Sequence, residues 1–430
     1  MTPLCQKHGR KPLRDSPEAV VAMQRPRFEV ADIFRQYGSA YLEHQGEKLS
    51  SDQRRVLHAV ATCRTAVLGG HIEACDQCGV LQISYNSCAN RHCPKCQAVA
   101  KAKWLEKRLD ELLPVEYFHL VFTVPRPIAE IALQNKRVVY NILFRTAAEA
   151  LRTIARDPKH LGAVIGFLAV LHTWGQNLMD HPHLHCVVPG GGLDPSGKRW
   201  VACRPGFFLP VRVLSRLFRR LFLQAMGKAF KKGELQFHGR LRDLKDPKRF
   251  QEWLKPARKT EWVVYCKKPF GGPEKVFTYL GRYTHRVAIS NHRILDMSDG
   301  KVTFSWRDYR RDKEQRTLTL DAEEFIRRFL LHTLPSGFVR IRQYGFLANR
   351  NRTANIQKVR DLLQEAAGEE RPEEDWKQLL RRLTKTDPTL CPVCGEGRLV
   401  CIEVIESQVS ANKAMEEPRR GPPGGGLNTS

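Results

Sequence analysis

Two Cys-x-x-Cys pairs lying close together are the feature that most restricts how this chain can fold. Cys75 and Cys78 form the first pair, Cys93 and Cys96 form the second, and 14 residues separate them. Pairs with this spacing present four thiolates to one tetrahedral zinc ion, and such a site has no open coordination position for chemistry. We therefore predict that these four cysteines bind a structural zinc ion.

Four other candidate ligands surround these pairs in the sequence: Cys63, His71, Cys88 and His92. They could bind a second ion, or they could pack against the first site and hydrogen-bond its ligands from outside. The spacing is compatible with both arrangements. A third pair, Cys391 and Cys394, has only one further cysteine near it, Cys401, and we predict no metal site there.

The charge of the chain indicates a polyanionic partner. Its 430 residues include 71 Lys and Arg but only 45 Asp and Glu, which gives a formal net charge of +26. Nucleic acid is the simplest partner for such an excess. The sequence contains no apolar stretch long enough for a membrane span, no P-loop pattern for a nucleotide cofactor and no apolar secretory signal near residue 1. We therefore expect a cytoplasmic nucleic-acid-binding protein, in which cysteines are more typical of metal ligands than of disulfides.

The order of helical and strand-like patterns predicts an α+β fold. A helical, cysteine-rich region precedes strands that alternate with long helices, and both ends of the chain have the composition of disordered segments. We predict a disordered basic N-terminus (1–26), a helical and zinc-binding domain (27–113), a central domain built on an antiparallel sheet (114–350), a charged helical region with the third cysteine pair (351–417), and a disordered tail (418–430).

Several elements can be assigned from their residue patterns. Strands are predicted at Tyr117–Val124, Val164–His172 and His183–Pro189, and a helix is predicted at Lys136–Arg156. A strongly basic amphipathic helix is predicted at 212–232, where Arg216, Arg219 and Arg220 lie outside the apolar face. We expect these three arginines to contact the phosphates of a nucleic acid.

A histidine cluster begins the third of these strands. Side chains two residues apart on a strand project from the same face, so His183 and His185 can bind one metal ion. A hairpin would bring His172, near the end of the preceding strand, beside this pair, and His181 is the alternative third ligand. Three imidazoles leave open coordination positions, as a catalytic ion requires.

Two tyrosines share one side of a helix predicted at Val276–His285. Tyr279 and Tyr283 are four residues apart, and Arg282 and Arg286 beside them supply positive charge for a phosphate. Two aromatic side chains at this spacing can also simply fill a core. The pattern by itself therefore allows both a reactive and a structural role.

These motifs together resemble a known family. His183-Leu184-His185 is similar to the His–hydrophobe–His motif of HUH single-strand endonucleases, which include rolling-circle initiators, conjugative relaxases and certain transposases. The segments CDQCG, SCANRHCPKC, HPHLHCVVPGG, YLGRYTHRVAISNHRI and HTLPSGFVRIRQYGFLANR, in this order, resemble the transposases of the insertion-sequence ninety-one family. The resemblance extends from about residue 27 to residue 395. The spacing of His172 from the His183–His185 pair is also similar to the three-histidine metal site of relaxases.

The resemblance implies a reaction and a role for each site residue. Residues 114–350 would form an HUH-type catalytic domain in which the tyrosine-bearing helix packs over the sheet and the three histidines bind Mg²⁺ or Mn²⁺. Tyr279 and Tyr283 would be the nucleophiles of a two-tyrosine transposase. This enzyme would nick and join single-stranded DNA at the ends of a mobile element, through a 5′-phosphotyrosine, near the nucleoid of a bacterial cell. A plasmid initiator or relaxase of the same class, and a non-enzymatic zinc DNA-binding protein, are the alternatives.

Overall fold

The structure of this chain is a computed structural model. It describes residues 26–267, 288–308, 314–364 and 389–408, together with residues 281, 378, 381 and 387. The two terminal segments and most of the predicted tyrosine-bearing helix lie outside the described residues. No helix in the described part of the chain is long and apolar enough to cross a membrane.

Helices and strands follow one another along the described chain. The helices are α1 (Val30–Gln45), α2 (Ser51–Ala61), α3 (Gln97–Leu109), α4 (Arg126–Gln134), α5 (Lys136–Arg156), α6 (Val211–Lys231), α7 (Pro247–Lys259), α8 (Ala322–Leu331) and α9 (Arg352–Leu362). The strands are β1 (Gly70–Cys75), β2 (Leu81–Tyr85), β3 (Tyr117–Thr123), β4 (Phe167–Trp174), β5 (Asp180–Pro189), β6 (Gly191–Leu193), β7 (Trp200–Ala202), β8 (Val264–Lys267), β9 (Ile294–Ser298), β10 (Lys301–Asp308), β11 (Glu314–Asp321), β12 (Ile341–Tyr344) and β13 (Leu399–Ile405).

Local sequence signals explain several of these elements. α2 begins after Ser50, whose hydroxyl accepts a hydrogen bond from the backbone N–H of Gln53 and so satisfies one of the free donors at the helix start. The predicted strand at Tyr117–Val124 is confirmed as β3, and the predicted helix at Lys136–Arg156 is confirmed as α5. The predicted basic helix is confirmed as α6.

A five-stranded antiparallel sheet lies at the centre of the fold, with strand order β12-β4-β5-β3-β8. β5 occupies the middle of the sheet, and β4 and β3 pair with its two edges. This sheet follows a helical, cysteine-rich N-terminal region along the chain. The predicted α+β fold with an antiparallel central sheet is therefore confirmed.

The two faces of this sheet have different coverings. Phe122 and Leu184 project from one face into the largest apolar core, where the rings of Phe122 and Phe218 of α6 lie 5.1 Å apart. Because Phe122 is fully buried, its removal from water contributes about 2 kcal/mol of stability. On the opposite face, Leu105 of α3 packs against the cluster that contains Val187 of β5. The sheet is therefore covered by α6 on one side and by α3 on the other.

The N-terminal helices share their core with a segment far along the chain. Ile33 and Phe34 of α1 belong to the same buried cluster as Phe304 of β10 and Phe329 of α8, and the rings of Phe34 and Phe329 are 5.2 Å apart. The division of the chain into five domains remains a prediction. The core that α1 shares with β10 and α8 contains residues from two of these predicted domains.

A smaller sheet joins two distant parts of the sequence. β1 and β2 form an antiparallel hairpin, and β13 pairs with the other edge of β1. In this pairing Gly70 lies opposite Ile405, and Cys75 lies opposite Leu399. Residues near the C-terminal end of the described chain are thus brought to the tip of the β1–β2 hairpin.

Candidate active site and cysteine clusters

The three predicted histidines converge on the face of the central sheet that α3 covers. His172 of β4 lies directly opposite His183 of β5, and His185 projects from the same face two residues further along. One ring nitrogen from each side chain lies within 4.8 Å of the other two. His181 is not a member of this group. Within the described residues, the structure therefore brings His172 into the site as the third histidine.

Burial keeps two of these imidazoles neutral. It lowers the pKa of His183 to about 3 and holds the pKa of His185 well below its usual value, and the neighbouring histidines act in the same direction. A neutral imidazole offers a nitrogen lone pair to a metal ion, whereas a protonated imidazole has none to offer. His183 and His185 can therefore bind a cation at neutral pH without first losing protons.

One hydrogen bond also orients the ring of His183. Its Nδ1 lies 2.6 Å from the backbone carbonyl oxygen of His181. A carbonyl oxygen can only accept, so Nδ1 carries the proton and Nε2 keeps its lone pair. Hydrogen bonds of this kind hold metal-binding histidines in the correct tautomer.

A fourth histidine, His119 of β3, was absent from the sequence-based prediction. Its Nε2 lies 2.7 Å from Nδ1 of His185, and the two rings are parallel with centroids 5.0 Å apart. Burial, together with the charge of Lys267, lowers the pKa of His119 to about 4. A neutral His119 can accept the Nδ1 proton of His185, which leaves Nε2 of His185 for a metal ion. The only signal in the sequence is one imidazole within the mainly apolar run at Tyr117–Val124.

We expect His119→Ala to weaken binding of Mn²⁺ by roughly 10- to 100-fold, because His185 would lose the group that fixes its tautomer. Isothermal titration calorimetry of the purified protein with Mn²⁺ measures this change in affinity. His119→Gln is the matched variant, since a glutamine side-chain oxygen can also accept the proton, and it should restore much of the affinity. Equal Mn²⁺ affinity in the wild-type and alanine proteins would contradict the orienting role of His119.

The predicted nucleophiles and two predicted DNA contacts lie outside the described residues: Tyr279, Tyr283, Arg282 and Arg286. Gly281, between the two tyrosines, is described and is buried. A β-carbon added to Gly281 would lie 3.2 Å from Cδ1 of Leu105 in α3. Because α3 covers the face that carries the histidines, Gly281 lies on the same side of the sheet as the histidine site.

The other predicted DNA contacts lie on α6. Arg216 and Arg220 are exposed, whereas Arg219 donates a hydrogen bond to the carbonyl oxygen of Thr260 at 2.8 Å. α6 packs on the face of the central sheet opposite the histidines. The structure therefore separates these arginines from the histidine site by the thickness of the sheet.

The cysteines form two clusters whose membership differs from the predicted one. Cys63, Cys88, Cys93 and Cys96 form the first cysteine cluster, and Cys75, Cys78, Cys391 and Cys394 form the second cysteine cluster. The four cysteines predicted to share one ion are thus divided between two groups. The β1–β2 hairpin separates the two pairs, because one pair lies at its tip and the other lies beyond its base. The five residues of a strand such as β2 span about 17 Å, which is too far for one ion to bridge.

The first cysteine cluster is compact and lies at the start of α3. The Sγ atom of Cys96 is 3.4 Å from that of Cys63 and 3.5 Å from that of Cys88, and the Sγ atoms of Cys63 and Cys93 are 3.6 Å apart. Cys63 and Cys93 also belong to the core that α1 shares with α8. A metal ion in this cluster would therefore hold the end of α2, the start of α3 and a hydrophobic core together.

Neither of the two candidate histidines, His71 and His92, joins a cysteine cluster. Nε2 of His92 accepts a hydrogen bond from the backbone N–H of Leu334 at 3.1 Å, and burial lowers the pKa of His92 to about 3. Nε2 of His71 lies 3.6 Å from a carboxylate oxygen of Glu73. Both histidines therefore have structural partners, and among the described residues all the members of the two clusters are thiols.

The chain is similar to known transposases along most of its length. A family model described as "Putative transposase" matches residues 166–354, and one described as "Transposase zinc-binding domain" matches residues 33–124. The first range includes all three histidines of the site, and the second includes the whole first cysteine cluster. The zinc-binding domain match and the cysteine clusters together support structural zinc in this chain.

Two curated proteins extend this similarity. The chain is 58% identical over 381 residues to "Putative transposase y4qJ" of Sinorhizobium fredii, an alignment that covers 88% of this chain and 96% of that protein. It is 28% identical over 347 residues to "Transposase for insertion sequence element IS801" of Pseudomonas savastanoi pv. phaseolicola, covering 80% of this chain and 82% of that protein.

Proposed function

The chain belongs to the insertion-sequence ninety-one family of transposases, and we propose that it cuts and joins single-stranded DNA at the ends of a mobile element. The main support for this proposal is that three histidines converge on one face of the sheet: His172, His183 and His185. Three imidazoles provide a place for a divalent ion beside a scissile phosphate. The net charge of +26 supports a polyanionic substrate.

The ligands at this site fit a divalent ion that acts on phosphate. Three nitrogen ligands leave coordination positions open for phosphate oxygens and water. Imidazole suits borderline cations better than hard ones, so Mn²⁺ matches this site better than Mg²⁺ does. When bound, the ion would polarise the scissile phosphate and stabilise the negative charge of the transition state.

A tyrosine of the Tyr279–Tyr283 pair is the proposed nucleophile. The phenol has an ordinary pKa near 10, so its hydroxyl must give up its proton to a base as it attacks. Its oxygen forms a bond to phosphorus, the bond from phosphorus to the 3′ oxygen breaks, and that oxygen takes up a proton to become a free 3′-hydroxyl. The DNA stays linked to the enzyme through a 5′-phosphotyrosine, which conserves a reactive bond for rejoining without a nucleotide cofactor.

The position of Gly281 supports this assignment of the nucleophile. Gly281 lies against Leu105 on the side of the sheet that carries the histidines. Tyr279 and Tyr283 are each two residues from Gly281 in the sequence, and we propose that they act on that side of the sheet. The second tyrosine could then make a second cleavage before the first covalent link is resolved.

The arginines of α6 have a different proposed role. Arg216 and Arg220 are exposed on the side of the sheet away from the histidines. We propose that they hold DNA at a distance from the scissile phosphate, through contacts to the backbone that do not depend on sequence. Such contacts strengthen binding of the whole element end without taking part in the reaction.

Cleavage of labelled single-stranded oligonucleotides that span the ends of the element tests this proposal. We expect cleavage with Mn²⁺ or Mg²⁺, none with a chelator, and a loss of at least about 100-fold in His183→Ala, because a ligand of the ion is removed. His181→Ala is the matched control, since His181 lies on the same strand outside the group and should leave the rate nearly unchanged. Equal activity in the two variants would contradict the metal site, and cleavage of duplex but not of single strands would contradict the substrate.

A further inference from the structure

The second cysteine cluster joins residues that are more than 300 positions apart. The Sγ atoms of Cys75 and Cys394 are 3.7 Å apart, and so are those of Cys78 and Cys391. The matched zinc-binding range ends at residue 124, so it contains one pair of this cluster and not the other. We propose that these four cysteines bind a second structural zinc ion, which fastens residues 389–405 to the β1–β2 hairpin.

The distances between the sulfur atoms fit a tetrahedral ion. A zinc–thiolate bond is about 2.3 Å long, and tetrahedral geometry then places the sulfur atoms about 3.8 Å apart. A disulfide would require about 2.05 Å between the two sulfurs. The observed separation of 3.7 Å in both pairs therefore matches two thiolates on one ion and is far too long for a covalent bond.

Backbone N–H groups around the cluster donate hydrogen bonds to the cysteine sulfur atoms. The N–H of Cys78 points to Sγ of Cys75 at 3.5 Å, and the N–H of Gly397 points to Sγ of Cys394 at 3.4 Å. The N–H of Val393 approaches Sγ of Cys391 at 3.4 Å. Backbone donors aimed at sulfur stabilise the thiolate, which is the form that binds zinc.

Gly397 shows how closely the two halves of the cluster approach each other. A β-carbon at this position would lie 2.3 Å from Sγ of Cys75, so any other residue would displace that sulfur. The backbone also joins the halves, because Asp76 donates its N–H to the carbonyl oxygen of Arg398 at 3.0 Å and accepts the N–H of Arg398 through its carboxylate at 2.8 Å.

One face of β13 contributes little hydrophobic burial to hold this C-terminal segment in place. The side chains of Val400, Ile402 and Val404 in β13 are 52%, 59% and 71% exposed. Their burial therefore contributes little to the attachment, and a strand on a small sheet is only marginally stable by itself. Among the described residues, the segment is held by backbone pairing with β1, by the hydrogen bonds of Arg398 with Asp76 and of Ser407 with Val67, and by the thiolate cluster. We infer that β13 separates from β1 when the second zinc ion is lost.

Zinc content and hydrogen exchange of the full chain test this proposal. We expect two zinc ions per wild-type chain, and one in a Cys391→Ser, Cys394→Ser double variant, by inductively coupled plasma mass spectrometry. Amide exchange in 399–405 should rise at least tenfold in that variant, while exchange in α5 stays unchanged. Cys401→Ser is the matched control, because this exposed thiol lies on β13 outside the cluster, and it should retain both ions.

Two results would overturn the second zinc site. One is a single zinc ion in the wild-type chain, and the other is two zinc ions in the double variant. Gly397→Ala provides a further check if the double variant fails to fold, since it keeps all four thiols but displaces one sulfur. It should release one of its two ions at a lower chelator concentration than the wild type, and release of both ions at the wild-type concentration would also overturn the site. Loss of DNA cleavage has no bearing on these counts, because the histidine site is separate.

Discussion

A Tyr279→Phe, Tyr283→Phe double variant should form no covalent complex with single-stranded DNA. Phenylalanine keeps the aromatic ring but removes the oxygen that would form the bond to phosphorus in the proposed reaction. Removal of a nucleophile typically costs on the order of 10⁴-fold or more in rate, which places the remaining adduct below detection. A denaturing gel of labelled oligonucleotide incubated with each protein measures the loss of the shifted band.

DNA binding is the control for this variant. Binding depends mainly on the positive charge of the surface, which the substitutions leave at +26, so the dissociation constant should change less than about twofold. Each single variant separates the roles of the two tyrosines. An adduct at the wild-type level in the double variant would show that neither tyrosine is the nucleophile.

Loss of the first cysteine cluster should have the second large effect, in this case on folding. Structural zinc contributes about 10–16 kcal/mol to the folding of zinc-finger peptides, so Cys93→Ser should lower the free energy of unfolding by several kcal/mol. Cys93 is 1% exposed and belongs to the core that α1 shares with α8. The destabilisation should therefore reach α8 as well as the N-terminal helices.

Thermal unfolding and hydrogen exchange measure this effect. Cys93→Ser should unfold at a lower temperature than the wild type, with faster exchange in α1, α2 and α8. Cys203→Ser is the matched control, because this half-buried thiol lies outside both clusters and should have little effect. A Cys93→Ser protein with wild-type zinc content and stability would contradict a structural ion at this cluster.

Residue patterns predicted much of the central fold. The sheet strands and the long helices have strong local signals, as the agreement of α5 with the predicted Lys136–Arg156 illustrates. The core shared by α1 and α8 was not predictable in this way, since nothing in the residues around Phe34 indicates a partner near Phe329. Pairings between distant segments depend on how elements pack in three dimensions, which local patterns do not encode.

The candidate site was predictable where it depends on neighbouring strands. His172 and His183 lie on strands joined by a short connection, so hairpin geometry was enough to place them opposite each other. His119 lies on β3, which is separated from β5 by two helices and β4 along the chain, and its contact with His185 could not be inferred from spacing. Local pairing was thus enough to bring the candidate histidines together, but not to indicate the contact between His119 and His185.

For the cysteines, by contrast, sequence spacing did not predict which residues lie together. A gap of 14 residues between two Cys-x-x-Cys pairs suggested one ion, but the gap contains the whole of β2. The hairpin places the first pair beside Cys391 and Cys394, for which no metal site had been predicted. The second pair lies beside Cys63 and Cys88 instead. All four cysteines of the two predicted pairs lie in thiol clusters, but in two different ones, because the pairing of β13 with β1 brings Cys391 and Cys394 to the first pair.

Isolating the covalent complex and locating its bond to the protein tests the tyrosine-mediated reaction most directly. Wild-type protein would be incubated with a single-stranded element end and Mn²⁺, digested with protease and nuclease, and examined by tandem mass spectrometry. We predict a nucleotide linked through its 5′-phosphate to Tyr279 or Tyr283, and its absence when the ion is chelated. A phosphate linked to any other residue, or cleaved DNA with no linked peptide, would contradict a tyrosine-mediated reaction at the histidine site.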